Sequence, residues 1–245
     1  MRFSLFAVVG LLGAVTAAPT PKPPALAWDD VVVVMSDGTT QVMKAAKYAE
    51  IERRAPLPAI PKGHSTNLFA DADAAPAGLE RRGCASSAEV QVLTDQVFLG
   101  SDVAISPVVS STSAIADVSI AAGYQISNMV TVTGSMEISL IDIEKIMSMS
   151  LSLSYSKSWT TTETQTLRFT MQENQYGLVV SQPSVRRITG NLINGCNDNP
   201  TVTPFTSDTY ENQSYGNLAW VKGVIRLCNS TVYPVPFCLG EGSHE

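Results

Sequence analysis

Apolar and polar positions alternate without a break from Met147 to Met171. Every even position from Ser148 to Thr170 is Ser or Thr except Arg168. The odd positions begin Met147, Met149, Leu151, Leu153 and Tyr155, then turn more polar around Lys157, Trp159, Thr161 and Glu163 before Leu167 and Phe169. Period two puts successive side chains on opposite faces of a strand, so the pattern predicts a strand with one hydroxyl face. Met129 to Leu140 alternates likewise, with Val130, Val132, Met136, Ile138 and Leu140 on one side and Thr131, Thr133, Ser135, Glu137 and Ser139 on the other. Ser135 to Glu173 contains no Gly, Pro or Asn, and the phase changes only across Ile141 to Ile146. The pattern therefore predicts a long hairpin with arms near 130–140 and 147–171. A helix over 136–150 competes with it, because Met136, Leu140, Ile143 and Met147 also fall three and four apart.

The rest of the chain after Ser87 reads as shorter strands: 89–99, 103–109, 114–120, 176–181 and 185–189, the last two broken at Pro183. Residues 173–175 read as a turn and 195–199 as a loop. Residues 218–227 and 231–237 read as a terminal hairpin, with Pro234 and Pro236 suited to an edge. The expected fold is all-β: an elongated antiparallel sheet or β-sandwich with long Ser/Thr-rich strands.

The N-terminal third differs. Residues 1–17 carry Arg2, an apolar stretch from Leu5 to Val15 and small residues ending at Ala17, the pattern of a secretory signal peptide. Residues 18–82 read as a pro-region. Its foldable part is a small β–α unit: Val31 to Val34, a Ser36-Asp37-Gly38 turn, Thr40 to Met43, then a helix from Lys44 to Arg54. A Pro/Ala-rich linker runs from Ala55 to Gly78. Arg53-Arg54 and Arg81-Arg82 each come after a Glu, and cleavage after Arg82 would leave residues 83–245 as the mature domain. Until then Val31 to Val34 could pair with an exposed sheet edge and keep that domain monomeric.

From Gly83 onward there are fourteen acidic and seven basic side chains, a balance that argues against a nucleic-acid partner. All four cysteines, Cys84, Cys196, Cys228 and Cys238, lie in this part. An even number in a secreted chain predicts two disulfides. Three pairings are open, and Cys84–Cys238 with Cys196–Cys228 is favoured because it would tie the termini together. Asn212 and Asn229 open glycosylation sequons and are expected on solvent-facing loops.

As a membrane hairpin, Met147 to Ser158 has the ~9–11 residues of a barrel strand. Its lipid face would be Met147, Met149, Leu151, Leu153 and Tyr155. Val130, Val132, Met136, Ile138 and Leu140 would come from the facing arm, Ile141, Ile143 and Ile146 would form an apolar tip, and Lys157 and Trp159 would sit at the interface. A soluble β-sandwich with a wet hydroxyl face alternates identically. No catalytic residue is expected. The two histidines are His64, in the pro-region, and His244, read as a loose end. Glu163 with Glu137 or Asp117 could form a carboxylate pair of the glycoside-hydrolysing kind, but a lone acid on a Thr-rich strand is more often solvated or ion-paired, here to Arg168 or Lys157. No cofactor or metal set stands out. Arg186-Arg187 could meet an anionic group, although a strand end with one Arg paired to an acid explains them too. Trp159, Tyr176 and Trp220 could line a glycan- or lipid-facing patch, although core packing is the commoner use of such residues.

These residues carry two resemblances. Asp30 to Val34 with Asp37 to Lys44, Ser156 to Thr162, Gln175 to Val180 and Tyr233 to Gly242 resemble a family of small secreted fungal effector-like proteins. Residues 129–182 are similar in pattern to the hairpin and stalk of aerolysin-type β-pore-forming proteins. These resemblances imply a secreted protein that acts on a host or target cell surface, where the 130–158 hairpin would insert as copies form a homo-oligomer. The sequons and the lack of a catalytic set add the expectation of a non-enzymatic glycoprotein. The alternative is a soluble binding module that recognises a host surface protein or glycan.

Overall fold

Strand-forming patterns become strands over most of the chain in the computed structural model, which describes residues 25–35, 37–55, 87–133, 140–162, 167–196 and 199–245. In order, the strands are β1 (Asp30–Val34), β2 (Thr40–Lys44), β3 (Ser87–Leu99), β4 (Val103–Ala104), β5 (Val109–Ser111) and β6 (Ala116–Ser119). Then come β7 (Gln125–Ser127), β8 (Met129–Val132), β9 (Ser158–Thr160), β10 (Arg168–Met171), β11 (Gln175–Cys196) and β12 (Asn199–Tyr210). The last are β13 (Asn212–Tyr215), β14 (Leu218–Val221), β15 (Gly223–Ser230), β16 (Val235–Pro236) and β17 (Ser243–His244). Two helices interrupt them, α1 (Ala45–Arg54) and α2 (Leu140–Leu151). The all-β expectation holds.

The main antiparallel sheet runs β2-β1-β15-β11-β12-β8, with β3, β4 and β5 also on β11. β11 is 22 residues long and does not break at Pro183. Its first half pairs with β15 from Tyr176↔Ser230 to Pro183↔Gly223. Its second half lies between β12 and β3. Two glycines permit close approaches. A Cβ on Gly223 would stand 2.2 Å from the Gln182 carbonyl oxygen where β11 changes partners. A Cβ on Gly190 would stand 2.1 Å from the Gln91 carbonyl oxygen and 2.8 Å from the Phe205 ring. Gly190 sits where the β3 register shifts, the usual setting for a bulge.

The first half carries the larger core. Val179, Ile225 and Leu227 pack against Phe169, Met171, Tyr215, Leu218 and Trp220 from the small β10-β6 and β13-β14 sheets. Trp220 donates its indole N–H to Ser181 Oγ at 3.0 Å. On the second half, α2 covers one face. Ile143 and Met147 are buried against Val130, Ile188, Leu192 and Phe205, each burial contributing about 1.5–3 kcal/mol.

The predicted hairpin is not formed. β8 pairs with β12, β9 with β7 and β10 with β6. Residues 147–151 belong to α2, the outcome the four-residue spacing of Ile143, Met147 and Leu151 allows. Other sequence-based elements also change. Residues 199–210, which no pattern marked, form β12, and β11 reaches Cys196 through the expected 195–199 loop. The expected hairpin of 218–227 with 231–237 is not formed: β14 pairs with β13, β15 with β11 and β1, and β16 with β17. The hairpin and helix expected over residues 31–54 form, but β1 is a strand of the main sheet and no separate unit.

The described disulfide joins Cys228 to Cys238, with Cα atoms 5.8 Å apart. The favoured Cys84–Cys238 and Cys196–Cys228 pairing is therefore corrected. Chain order gave no sign that residues 231–237 turn back onto the end of β15, which puts the two sulfurs side by side. Cys84 and the Cys196 side chain lie outside the described residues.

Two outcomes test this architecture. Gly190→Ala should destabilise the fold by about 2–3 kcal/mol through overpacking, read as a lowered urea midpoint at unchanged slope. Without reduction, the tryptic peptide from Leu227 to Glu245 should weigh two hydrogens less than its reduced form, with no second peptide attached.

Candidate functional site

The cover laid by α2 stops short of the β11 partner switch. Past α2 the chain turns through Ser152, whose φ is +54°, and then takes an irregular run to β9. Three contacts hold that run down. The Tyr155 hydroxyl, its pKa raised by burial, lies 2.6 Å from Ser207 Oγ. The buried Asn128 donates through Nδ2 to the Ser154 carbonyl at 2.7 Å and accepts through Oδ1 from the Tyr210 amide at 2.9 Å. The Asn128 amide donates to the Lys157 carbonyl at 3.0 Å. One buried amide side chain thus ties the run to β12.

Beyond this tie the sheet face is open. A cleft of about 440 Å³ lies between Ser152, Leu153, Ser154 and Lys157 on one side and Val97, Ser184, Arg186 and Thr209 on the other, with Glu211 and Lys222 at its end. Three bases of a net-acidic domain line it. Each has a partner. Arg186 makes two bonds to Asp95, at 2.9 and 2.6 Å, and the guanidinium holds that carboxyl below its usual range. Lys222 Nζ lies 3.0 Å from Glu211. Lys157 Nζ lies 5.1 Å from the centre of the Trp159 ring. Tyr210 closes the wall, its pKa pushed up to about 12 by burial. The cleft can offer exposed cations to an anionic or hydroxyl-rich ligand at the cost of loosening surface ion pairs, which are individually weak.

The structure disperses the other expected site residues. Val130 and Val132 line the α2 core. Of the expected lipid face, Met147 and Tyr155 are buried, Leu151 and Leu153 are half-buried, and Met149 is 70% exposed. Met136 and Ile138 lie outside the described residues, as do the side chains of Leu140 and Ile141. Trp159 and Trp220 are buried and the half-buried Tyr176 packs on the exposed Tyr233, so the three do not share one patch. Arg187 pairs with Asp208 at 2.6 Å, so both arginines of the pair are bound. Asn212 and Asn229 lie in β13 and β15, not in loops. Asn212 Oδ1 accepts from the Trp159 indole N–H, and Asn229 Nδ2 donates to Gln175. Glu137, Glu163, Arg81 and Arg82 lie outside the described residues.

Sequence reasoning missed a second polar centre. Asp102 is buried and its carboxylate accepts from Gln182 Nε2 at 2.7 Å, from the Leu239 amide at 3.2 Å and from the Cys238 amide. It anchors the C-terminal tail beside the disulfide. His244 is no loose end: it pairs with Val235 across β17–β16 and is 8% exposed. Its ring packs 4.4 Å from Phe237, and its Nε2 stands 3.7 Å from Asp102 without a hydrogen bond. Burial lowers its pKa, and the Asp102 charge opposes that only in part. Asp102 with Cys228 and Cys238 is the one described grouping tight enough to hold a metal ion, and its sulfurs are joined in the disulfide. No local pattern could place Asp102 and His244 together, since they meet only through the fold.

No protein-family model matches this chain, and no curated protein or solved structure matches it at a meaningful level. No described helix is long and apolar enough to cross a membrane, a finding silent on crossing by strands.

His244 generates a pH test. Its folded pKa is depressed, so below the ordinary value of ~6.5 the unfolded chain binds more protons than the folded one. Stability should be full above that value and decline as pH falls through it, and His244→Gln should flatten the slope of thermal midpoint against pH between about 7.5 and 5.5.

Proposed function

We propose that this is a secreted, effector-like, non-enzymatic protein that acts on a target cell surface, and that its working part is residues 130–158, from β8 to the start of β9. The observation that supports this is a conflict of periods. Residues 147–158 carry a two-residue repeat, yet they are held as the end of a helix and an irregular run. Along a helix, positions two apart lie ~200° apart, so alternating apolar residues cannot all reach the core. Met147 is buried while Met149 projects into solvent. As a strand, the same residues would gather on one face opposite six serines. Local pattern and observed structure disagree here, a mark of a segment with two competing folds.

In this reading α2 is the stored form, and contact with a lipid surface draws residues 130–158 into the strand form as copies assemble. Every backbone group in the hydrocarbon must then be paired in a closed barrel, so insertion requires a homo-oligomer. A second reading, a soluble module that binds a host protein or glycan, is favoured by the open cleft around Arg186 and Lys157.

Met149 separates the two. It is exposed on α2, so Met149→Arg should change stability by no more than about 0.5 kcal/mol. On the lipid face of a barrel the same charge costs about 2–4 kcal/mol. The full chain should release dye from liposomes and Met149→Arg should not. Silence of the unmodified protein on zwitterionic, anionic and sterol-containing vesicles would leave the binding-module reading, with Arg186→Ala as its first variant.

A further inference from the structure

We infer that the outer edge of β15 is a strand-binding site, and that residues 25–54 are its ligand, retained without a covalent link after the chain is cut at Arg53-Arg54 or Arg81-Arg82. Without β1, β15 would be an edge strand, bonded to β11 on one side alone. β1 completes it in antiparallel register, Val31↔Arg226, Val32↔Ile225 and Val33↔Val224. Unpaired edges of this kind capture extended peptides through the backbone ladder, and side-chain pockets supply the selectivity.

The pockets here are apolar on both faces. Val32 is 3% exposed and belongs to the large core with Trp220 and Ile225. Val31 is 1% exposed and packs with Leu99 and Val224. The same piece adds Met43 and Tyr48 to that second cluster. Upstream, the Leu26 amide donates to the Arg168 carbonyl at 2.7 Å, and the Thr170 amide donates to the Leu26 carbonyl at 2.8 Å. The described ion pairs of the piece are internal: Lys44 with Asp29 and Asp30, and Arg54 with Glu50. The piece thus braces its own hairpin with charge and meets the body through backbone bonds, one bond from Gln213 Nε2 to the Gly38 carbonyl, and apolar side chains led by Val31 and Val32. The ligand class is an extended, uncharged, β-branched strand.

Two features of the sequence make the site separable. Residues 1–83 contain no cysteine, so no disulfide can link the piece to the body. Arg53-Arg54 close α1, and Arg81-Arg82 lie beyond it, so a cut at either pair leaves β1, β2 and α1 on one fragment. Cleavage then yields a two-chain protein and not a bare mature domain.

The test uses the folded full chain, cut with a dibasic-specific endoprotease at Arg53-Arg54 or Arg81-Arg82, the third pair, Arg186-Arg187, being held between β12 and β3 within β11, and passed over a sizing column at micromolar concentration in low and high salt. Both fragments should elute together as a one-to-one complex in both, because among the described residues no ion pair joins them. Uncut Val32→Asp should fold, since the tether keeps the strand at high effective concentration, and should lose the fragment after cutting. If that variant does not fold uncut, Val32→Thr replaces it, with release at a protein concentration at least ten times higher than for the unmodified pair. Separation of the unmodified fragments, release at the same concentration for Val32→Thr, or a body that elutes as a dimer free of the fragment would each overturn the inference.

Discussion

β11 is the constraint on which everything else rests. It bonds to β15, β4 and β5 along its first half and to β12 and β3 along its second. Because one continuous backbone serves both halves, the larger core and the α2-covered core cannot form independently in register. The strand changes partners at Pro183, which has no N–H to give, and beside Gly223, where no side chain fits. The cleft opens at this switch, where the cover from α2 has ended and the next layer has not begun.

The covering segment is the part of the molecule least at peace with its own sequence. Its helix is secured by Ile143 and Met147 in the core and by the tie from Tyr155 to Ser207. Its serines do little for a helix: Ser148 Oγ turns back to the Glu144 carbonyl, a contact that tends to weaken helices slightly. Tertiary contacts, not local preference, decide the observed state. A segment with that balance is sensitive to a change of solvent, which is why a lipid surface is the proposed trigger.

The N-terminal hairpin shows the opposite balance. Four consecutive valines suit a strand buried on both faces, and β1 is buried on both. Asp37 accepts from the Thr39 amide at 2.9 Å within the turn, and Gly38 takes φ +83°. Local chemistry and final environment agree, so this hairpin and α1 were readable residue by residue. That β1 belongs to the main sheet was foreshadowed only as an edge-pairing possibility, because its partner β15 lies nearly two hundred residues away.

By itself the sequence determined the β class, the strand content of most of the shorter apolar runs, the β1–β2–α1 unit and the supply of cysteines, since these come from propensity, turn residues and composition. It could not choose between strand and helix at 140–151, because Ile143, Met147 and Leu151 satisfy both periods and only the apolar face of Val130, Ile188, Leu192 and Phe205 breaks the tie. The Cys228–Cys238 bridge, the burial of His244 beside Asp102, and the cleft around Arg186 and Lys157 were decided by tertiary structure alone. Each joins residues that a strand register or a returning tail brings together, and pairing between distant segments is set by the total burial it achieves, a quantity no local pattern contains.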